Sequence, residues 1–448
     1  MHFCIKALTN PKKILIIIQR SNGDVFLSLN LITELYNYYN HPQIDILVND
    51  DTLTLAKLLP YVTNIHTFSY AKKRNSRWTQ EAKLVKCIFK KYDLSINLTA
   101  SDRSVLYAVL ASKKAISAIE KIKIKSWWKK IFLYKYYYWD KEKHIFLNNL
   151  EPLNLLNISY DIRLKSINFS KKVLEKVKKK IYKIGIQEFI IFHPSAQYNY
   201  KIYPQPLRDE LLNSLSHIGI PIIVTGTKNK IDFGIKLNLP SLPNIIDFIG
   251  ETSLEEYFAL SYLAKAYIGM DTLNMHIASS QNKRIFAIFG PTKLSIWSPW
   301  SNQLRVAAIK NQSIQEYGNI TIFQADMACV ACGKAGCDDS HGKSECLDNI
   351  DPKIISNEIK NWYLESNYKA EIPVITESES TPRQILLYIV YGDNQTYYDG
   401  AIFSFLTFSH WIKNSRNPIE IVVLTEKPEL FNEYPVRTLL MTQEQKVD

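Results

Sequence analysis

Residues 13–39 read KILIIIQRSNGDVFLSLNLITELYNYY, and this stretch decides the fold class. Ile14 to Ile18 form a short apolar, mostly β-branched run, the composition of a strand buried on both faces. A polar turn, QRSNGD, follows, and VFLSLNLITELYNYY then carries apolar residues at helical spacing. The same cycle continues outward. IDILVND from Ile44 repeats the strand, TLTLAKLLPYV reads as a helix, and YDLSINLTASDRS from Tyr92 is a third strand ending in a polar loop. The series restarts at FIIFHPSA (Phe189) and runs through IPIIVTG (Ile220), AKAYIGMD (Ala264) and KRIFAIFGPT (Lys283). Alternating strands and helices predict α/β architecture: two doubly wound parallel sheets covered on both faces. Ligands in such sheets sit beyond the carboxyl ends of the strands, so the loops after Ile18, Phe192, Val224, Gly269 and Phe289 are the places to look for chemistry.

The expected organisation is a first Rossmann-like domain at 1–165, a linker and charged helix at 166–184, and a second domain at 185–369. A connector rich in Pro, Ser and Glu spans 370–384, and a partial α/β unit occupies 385–448. With 46% hydrophobic and 22% charged residues in 448, the chain is neither disordered nor fibrous. A net charge of +12 favours an anionic partner such as a nucleotide, a phosphorylated glycan, nucleic acid or a lipid surface. Six cysteines are too sparse for a secreted disulfide scaffold, which points to a reducing compartment. No apolar run approaches the roughly 18–20 residues of a membrane span, and the N-terminal apolar run is too short for a signal peptide. A cytoplasmic protein, at most peripheral on a membrane, is expected.

Two motifs carry the chemistry. IIFHPSAQYNYKIYPQPLRDELLNSL from Ile190 places Ser195 and Lys201 between a strand end and a helix, where a lysine and loop amides can hold phosphate oxygens. YIGMDTLNMHIASS from Tyr267 sets Asp271 and Thr272 between a strand and a helix carrying Met275 and His276; that helix start suits a diphosphate, or Asp271 or Thr272 simply caps it.

With SNGD at 21–24, IVTG at 223–226, FIGETSLEEYFALSYLAKAYIGMDTLNMHIA from Phe248 and FGPT at 289–292, these motifs resemble glycosyltransferase family 9. These are the bacterial heptosyltransferases of the lipopolysaccharide inner core, and the resemblance runs from Lys12 to Tyr363. It implies a GT-B fold and inverting transfer of a heptose or related sugar from ADP-heptose or a similar donor to a lipopolysaccharide core or other surface glycan. The resemblance further implies that no metal or cofactor is required for catalysis. By position, Asp24 is then the general base, or otherwise a helix cap. Lys201, Ser195 and the amides from Thr272 to His276 meet the charge on ADP, and Thr225, Gly226 and Thr252 lie near nucleoside or phosphate. The chain departs from the pattern at Leu273 and Asn274, where glycine and an apolar residue are usual, and after Gly226, where Lys228, Asn229 and Lys230 precede Asp232. A heptosyltransferase acting on protein side chains and a non-catalytic sugar-nucleotide binder are the alternatives.

Three features stand outside that frame. Cys329, Cys332, Cys337 and Cys346 have spacings that suit a structural zinc or iron site, or else reduced or disulfide-linked thiols. IKIKSWWKKIFLYKYYYWDKEKH from Ile122 mixes lysines with aromatic rings, as an interfacial surface facing a phosphorylated glycolipid would, or as an ordinary half-buried face would. No nucleic-acid module surrounds it. The tail YGDNQTYYDGAIFSFLTF resembles the opening of a GT-A glycosyltransferase but lacks an Asp-x-Asp, so no activity is expected of it.

Overall fold

The apolar run at Ile14–Ile18 becomes an inner strand of a six-stranded, all-parallel sheet. In chain order its strands are β1 (Lys13–Ile18), β2 (Gln43–Asn49), β3 (Val62–Phe68), β4 (Leu94–Asn97), β5 (Ala115–Ile119) and β6 (Lys135–Tyr138), in the spatial order β3-β2-β1-β4-β5-β6. Helices cover both faces, and Ile14, Ile16 and Ile18 pack into one core layer while Leu15 and Ile17 pack into the other. This two-sided burial is why the strand reads as a continuous apolar run.

The second sheet contains β7 (Ile190–His193), β8 (Ile222–Gly226), β9 (Ile245–Ile249), β10 (Ala266–Met270), β11 (Arg284–Ile288), β12 (Ile314–Tyr317) and β13 (Ile320–Phe323). Their order is β12-β13-β11-β10-β7-β8-β9, parallel throughout except for the β12–β13 pair. A Cβ at Gly269 would come within 2.4 Å of the His193 carbonyl oxygen, so glycine is what lets β10 close on β7. The halves dock through packed side chains: Phe26 meets Phe258 with ring centroids 5.9 Å apart, and Phe146 meets Trp300 at 5.1 Å. Two doubly wound domains facing a cleft form the GT-B architecture.

This computed structural model describes residues 10–121, 123–371, 384–412, 419–434 and 436–441, in two compact units, Met1–Ser366 and Asn367–Asp448. Most of the expected connector at 370–384 lies outside the described residues. In the second unit β14 (Gln384–Val390), β15 (Ile419–Thr425) and β16 (Arg437–Leu440) form a parallel sheet, and Tyr398 and Phe405 of the Gln395–Ile412 helix pack on Val390, Val423 and Phe431.

One local reading changes. The helix expected from TLTLAKLLPYV shrinks to Leu53–Ala56 after a short 3-10 turn at Asp50–Thr52. Pro60 and the left-handed Tyr61 (φ 66°) end it, and β3 begins at once.

Candidate active site

The carboxyl ends of β1, β7, β8 and β10 converge on a cleft of about 710 Å3. Ser21, Asn22, Gly23, Asp51 and Thr54 line it from the first half. Ser195, Lys201, Asp271, Thr272 and His276 line it from the second. Gly23 and His276 mark where the halves nearly touch, since a Cβ on Gly23 would lie 3.7 Å from His276 Cδ2.

Asp24 is one layer behind that wall. It is 3% exposed and is not among the lining residues. Its Oδ2 accepts hydrogen bonds from the Ser21 backbone N–H (3.2 Å) and Ser21 Oγ (2.7 Å), which ties it to the start of the Asn22–Phe26 helix. Oδ1 is buried without a hydrogen bond and sits 3.2 Å from Arg20 Nε. Arg20 in turn lies over the Trp139 ring, 4.3 Å from its centroid.

On the opposite wall Lys201 Nζ pairs with Asp271 Oδ2 at 2.8 Å. Burial lowers the Lys201 pKa, but the Asp271 carboxylate more than offsets it, so the net shift is upward and the lysine stays charged. Thr272 begins the Leu273–Ser280 helix without a side-chain cap, leaving the first amides turned to the cleft where Leu273 and Asn274 line it. His276 is 2% exposed, and its Nδ1 has no partner. Burial pushes its pKa down to about 4, against the pull of Asp271 and Asp24, so the ring is neutral at pH 7.

Sequence reasoning passed over His193 as a site residue. It lines the cleft at the end of β7, with Nδ1 2.9 Å from Asn274 Nδ2 and 3.1 Å from Thr225 Oγ1, and Nε2 3.4 Å from Ser195 Oγ. An amide donating to Nδ1 leaves the ring proton on Nε2, and burial holds this pKa too at about 4. The departure at Asn274 thus has a local reason: it orients a buried histidine. Asp232 lines the cleft as well; Oδ2 accepts from Thr227 N (2.5 Å), Thr227 Oγ1 (2.8 Å) and Asn229 Nδ2 (2.9 Å), while Oδ1 is buried and unpartnered. Thr225, Gly226, Thr252 and Met275 are not lining residues: Met275 is fully buried in the core, and a Cβ on Gly226 would meet Asp232 Cγ at 3.1 Å.

The four-cysteine loop does not support a metal site. All four thiols are free, and among the described residues no group of three or more His, Cys, Asp or Glu is placed to hold an ion. Burial first, then the neighbouring Cys332, Cys337 and Cys329, push the Cys346 thiol up to about 11, and its side chain packs in the core of the second half.

The lysine-aromatic stretch is split. Lys129 is buried, its Nζ bonded to the Ala100 carbonyl (2.9 Å) and Asp102 (2.7 Å), and Tyr137 is buried too. Trp127, Ile131 and Phe132 are each at least 60% exposed on the Lys123–Phe132 helix, an open apolar patch rather than a core face. No helix among the described residues is long and apolar enough to cross a membrane.

The chain is similar to several known proteins. Lipopolysaccharide heptosyltransferase 3 of Escherichia coli is 23% identical over 292 residues, covering 64% of this chain and 85% of the relative. Lipooligosaccharide heptosyltransferase 2 of Campylobacter jejuni is 32% identical over 94 residues, covering 21% of this chain and 24% of the relative. Among solved structures, that of the E. coli ADP-heptose lipopolysaccharide heptosyltransferase II superposes with a TM-score of 0.58 at 18% identity, over 79% of this chain and 99% of that one. The family model described as glycosyltransferase family 9 (heptosyltransferase) matches residues 82–324, more than half of the chain, taking in β4–β6 of the first sheet and all of the second. The chain, a glycosyltransferase, therefore belongs to glycosyltransferase family 9.

Proposed function

We propose that this enzyme transfers a heptose from ADP-heptose, with inversion, to a sugar hydroxyl of a lipopolysaccharide core or a related surface glycolipid. The observation that carries the reading is the cleft in which the Ser21–Gly23 loop of one half faces Lys201, Asp271 and the uncapped 273–280 helix of the other. The diphosphate sits at that helix start, where Lys201, Ser195 and the free amides meet its charge without any metal-dependent step. Asp232 Oδ1, buried and unpartnered, is suited to accept a ribose hydroxyl. The acceptor oxygen attacks the anomeric carbon on the face opposite ADP, the carbon–phosphate-oxygen bond breaks, and the electron pair leaves on ADP. The acceptor proton passes to Asp24, which lies one layer behind the Ser21–Gly23 wall and whose Oδ1 has no hydrogen bond, only the Arg20 ion pair at 3.2 Å.

The exposed Trp127, Ile131 and Phe132 suit an anionic membrane surface, which would bring a lipid-linked acceptor to the first half of the molecule. A donor screen by mass spectrometry, with purified protein and truncated glycolipid, tests the reading. One heptose added to the glycolipid, with ADP released, is the expected result. Transfer of another sugar, or ADP-heptose left intact, would overturn it, and transfer to protein alone would replace the acceptor.

A further inference from the structure

A second cavity, of about 690 Å3, opens between the start of the Gln205–Ser216 helix, the Lys230–Leu237 helix and the segment around 343–348. It shares no lining residue with the cleft. At its wall is Arg208, 3% exposed, whose Nε has no hydrogen-bond partner. Its ion pair with Asp209 Oδ1 is 3.9 Å long, beyond hydrogen-bond reach, and that oxygen is itself unpartnered. A buried guanidinium left this bare is unusual, because buried charge is ordinarily matched by a carboxylate or by several acceptors.

The surroundings lack the missing anion. Arg208 N–H bonds the Pro204 carbonyl at 2.9 Å, which puts the residue in the first turn of its helix. Side chains there lean back toward the helix start, so the guanidinium is carried toward the amides of Gln205 and Leu207, which Pro204 does not cap with a side chain; Pro206 between them has no N–H. Lys230 and Lys343 stand exposed at the rim, and Asp348 is the one carboxylate among the lining residues. Lys230, Lys343 and Arg208 against Asp348 and the adjacent Asp209 still leave the cavity with a net positive charge, and a guanidinium fork fits a tetrahedral oxyanion. The volume is within the range of small-molecule sites and exceeds what a bare ion fills.

We propose that this cavity is a second anion site, taking a phosphate group on Arg208, Lys230 and Lys343, either as free phosphate or as the phosphate of a small sugar phosphate. Inorganic phosphate and glucose 6-phosphate are titrated calorimetrically into the full chain. One of them binds, and the Lys230→Ala/Lys343→Ala double variant weakens it by about ten-fold or more, the scale of a lost charge-assisted contact. Arg208→Gln does the same; if that core variant fails to fold, the two exposed lysines still carry the test. Tighter binding of the sugar phosphate identifies that source, and equal affinity identifies free phosphate. Lys201→Ala, which alters the cleft, leaves this binding intact. The proposal is wrong if wild-type protein binds neither probe, if the double variant binds as well as wild type, or if Lys201→Ala alone abolishes binding, which would put the anion in the cleft.

Discussion

Asp24→Asn separates two roles that the geometry superimposes. The carboxylate holds the start of the 22–26 helix through two bonds from Ser21 to Oδ2, and it is also the proposed base through Oδ1. An asparagine carbonyl can inherit both Ser21 bonds, so the structural role survives. What is lost is charge: the pairing to Arg20 at 3.2 Å, whose side chain is 25% exposed and therefore worth about 1 kcal/mol or less, and the ability to take a proton. The Asn variant should melt close to wild type, bind ADP unchanged by calorimetry, and release ADP from ADP-heptose and acceptor about 100-fold more slowly, or roughly 2.7 kcal/mol in barrier. Asp24→Ala deletes the Ser21 bonds as well and should cost about 1–2 kcal/mol of stability besides. Wild-type turnover in a well-folded Asn variant would refute the base assignment and leave Asp24 as a cap alone.

Lys201→Ala should weaken ADP binding by about 10- to 100-fold, the range for a lost charge-assisted contact, and calorimetry showing equal affinity would remove Lys201 from the phosphate site. His144, His193 and His276 have pKa values pushed down by burial to about 3, 4 and 4. Each stays neutral in the folded chain while the unfolded chain takes up a proton below about 6.5, so stability is whole above that pH and is lost as the pH falls. At about 1.4 kcal/mol per pH unit for each histidine, the melting temperature should drop steeply between pH 6.5 and 4, and His276→Asn should flatten the slope; a flat wild-type profile would contradict it. Replacing Trp127 and Phe132 together with serine should reduce sedimentation with anionic vesicles while leaving turnover on a soluble acceptor analogue unchanged, and undiminished vesicle binding would exclude this patch as the contact.

The sheets were legible where strands are buried on both sides, because Ile14–Ile18 and Ile190–Phe192 must then be apolar at every position. β3 was not. As the outermost strand of its sheet it keeps Thr63, Asn64 and Thr67 exposed, so VTNIHTF carries no continuous apolar run. Ser195, Lys201, Asp271 and Thr272 could be named because each falls in a loop directly after a strand. His193, Asn274, Asp51 and Thr54 depend on which loops meet in space, and no spacing along the chain encodes that. Thr225 and Gly226 were named from the right loop, yet they form its floor: Thr225 Oγ1 supports His193, and the missing side chain at Gly226 makes room for Asp232.

The cleft's charges also constrain how a donor can enter. Lys201 is already paired with Asp271, and the two buried histidines are neutral, so the wall carries little free positive charge beyond the uncapped helix amides. A diphosphate drawn to Lys201 brings negative charge beside the Asp271 carboxylate, an unfavourable pairing at low dielectric unless that carboxylate gains a new donor. A sugar hydroxyl is such a donor and ADP has no sugar to offer at that place. Under the proposed reaction the intact nucleotide sugar therefore gains at Asp271 what ADP alone cannot, and once the sugar has left, Asp271 reclaims Lys201 and weakens the hold on the departing ADP. The ion pair at 2.8 Å is thus suited both to favour the loaded donor and to hasten release of the spent one.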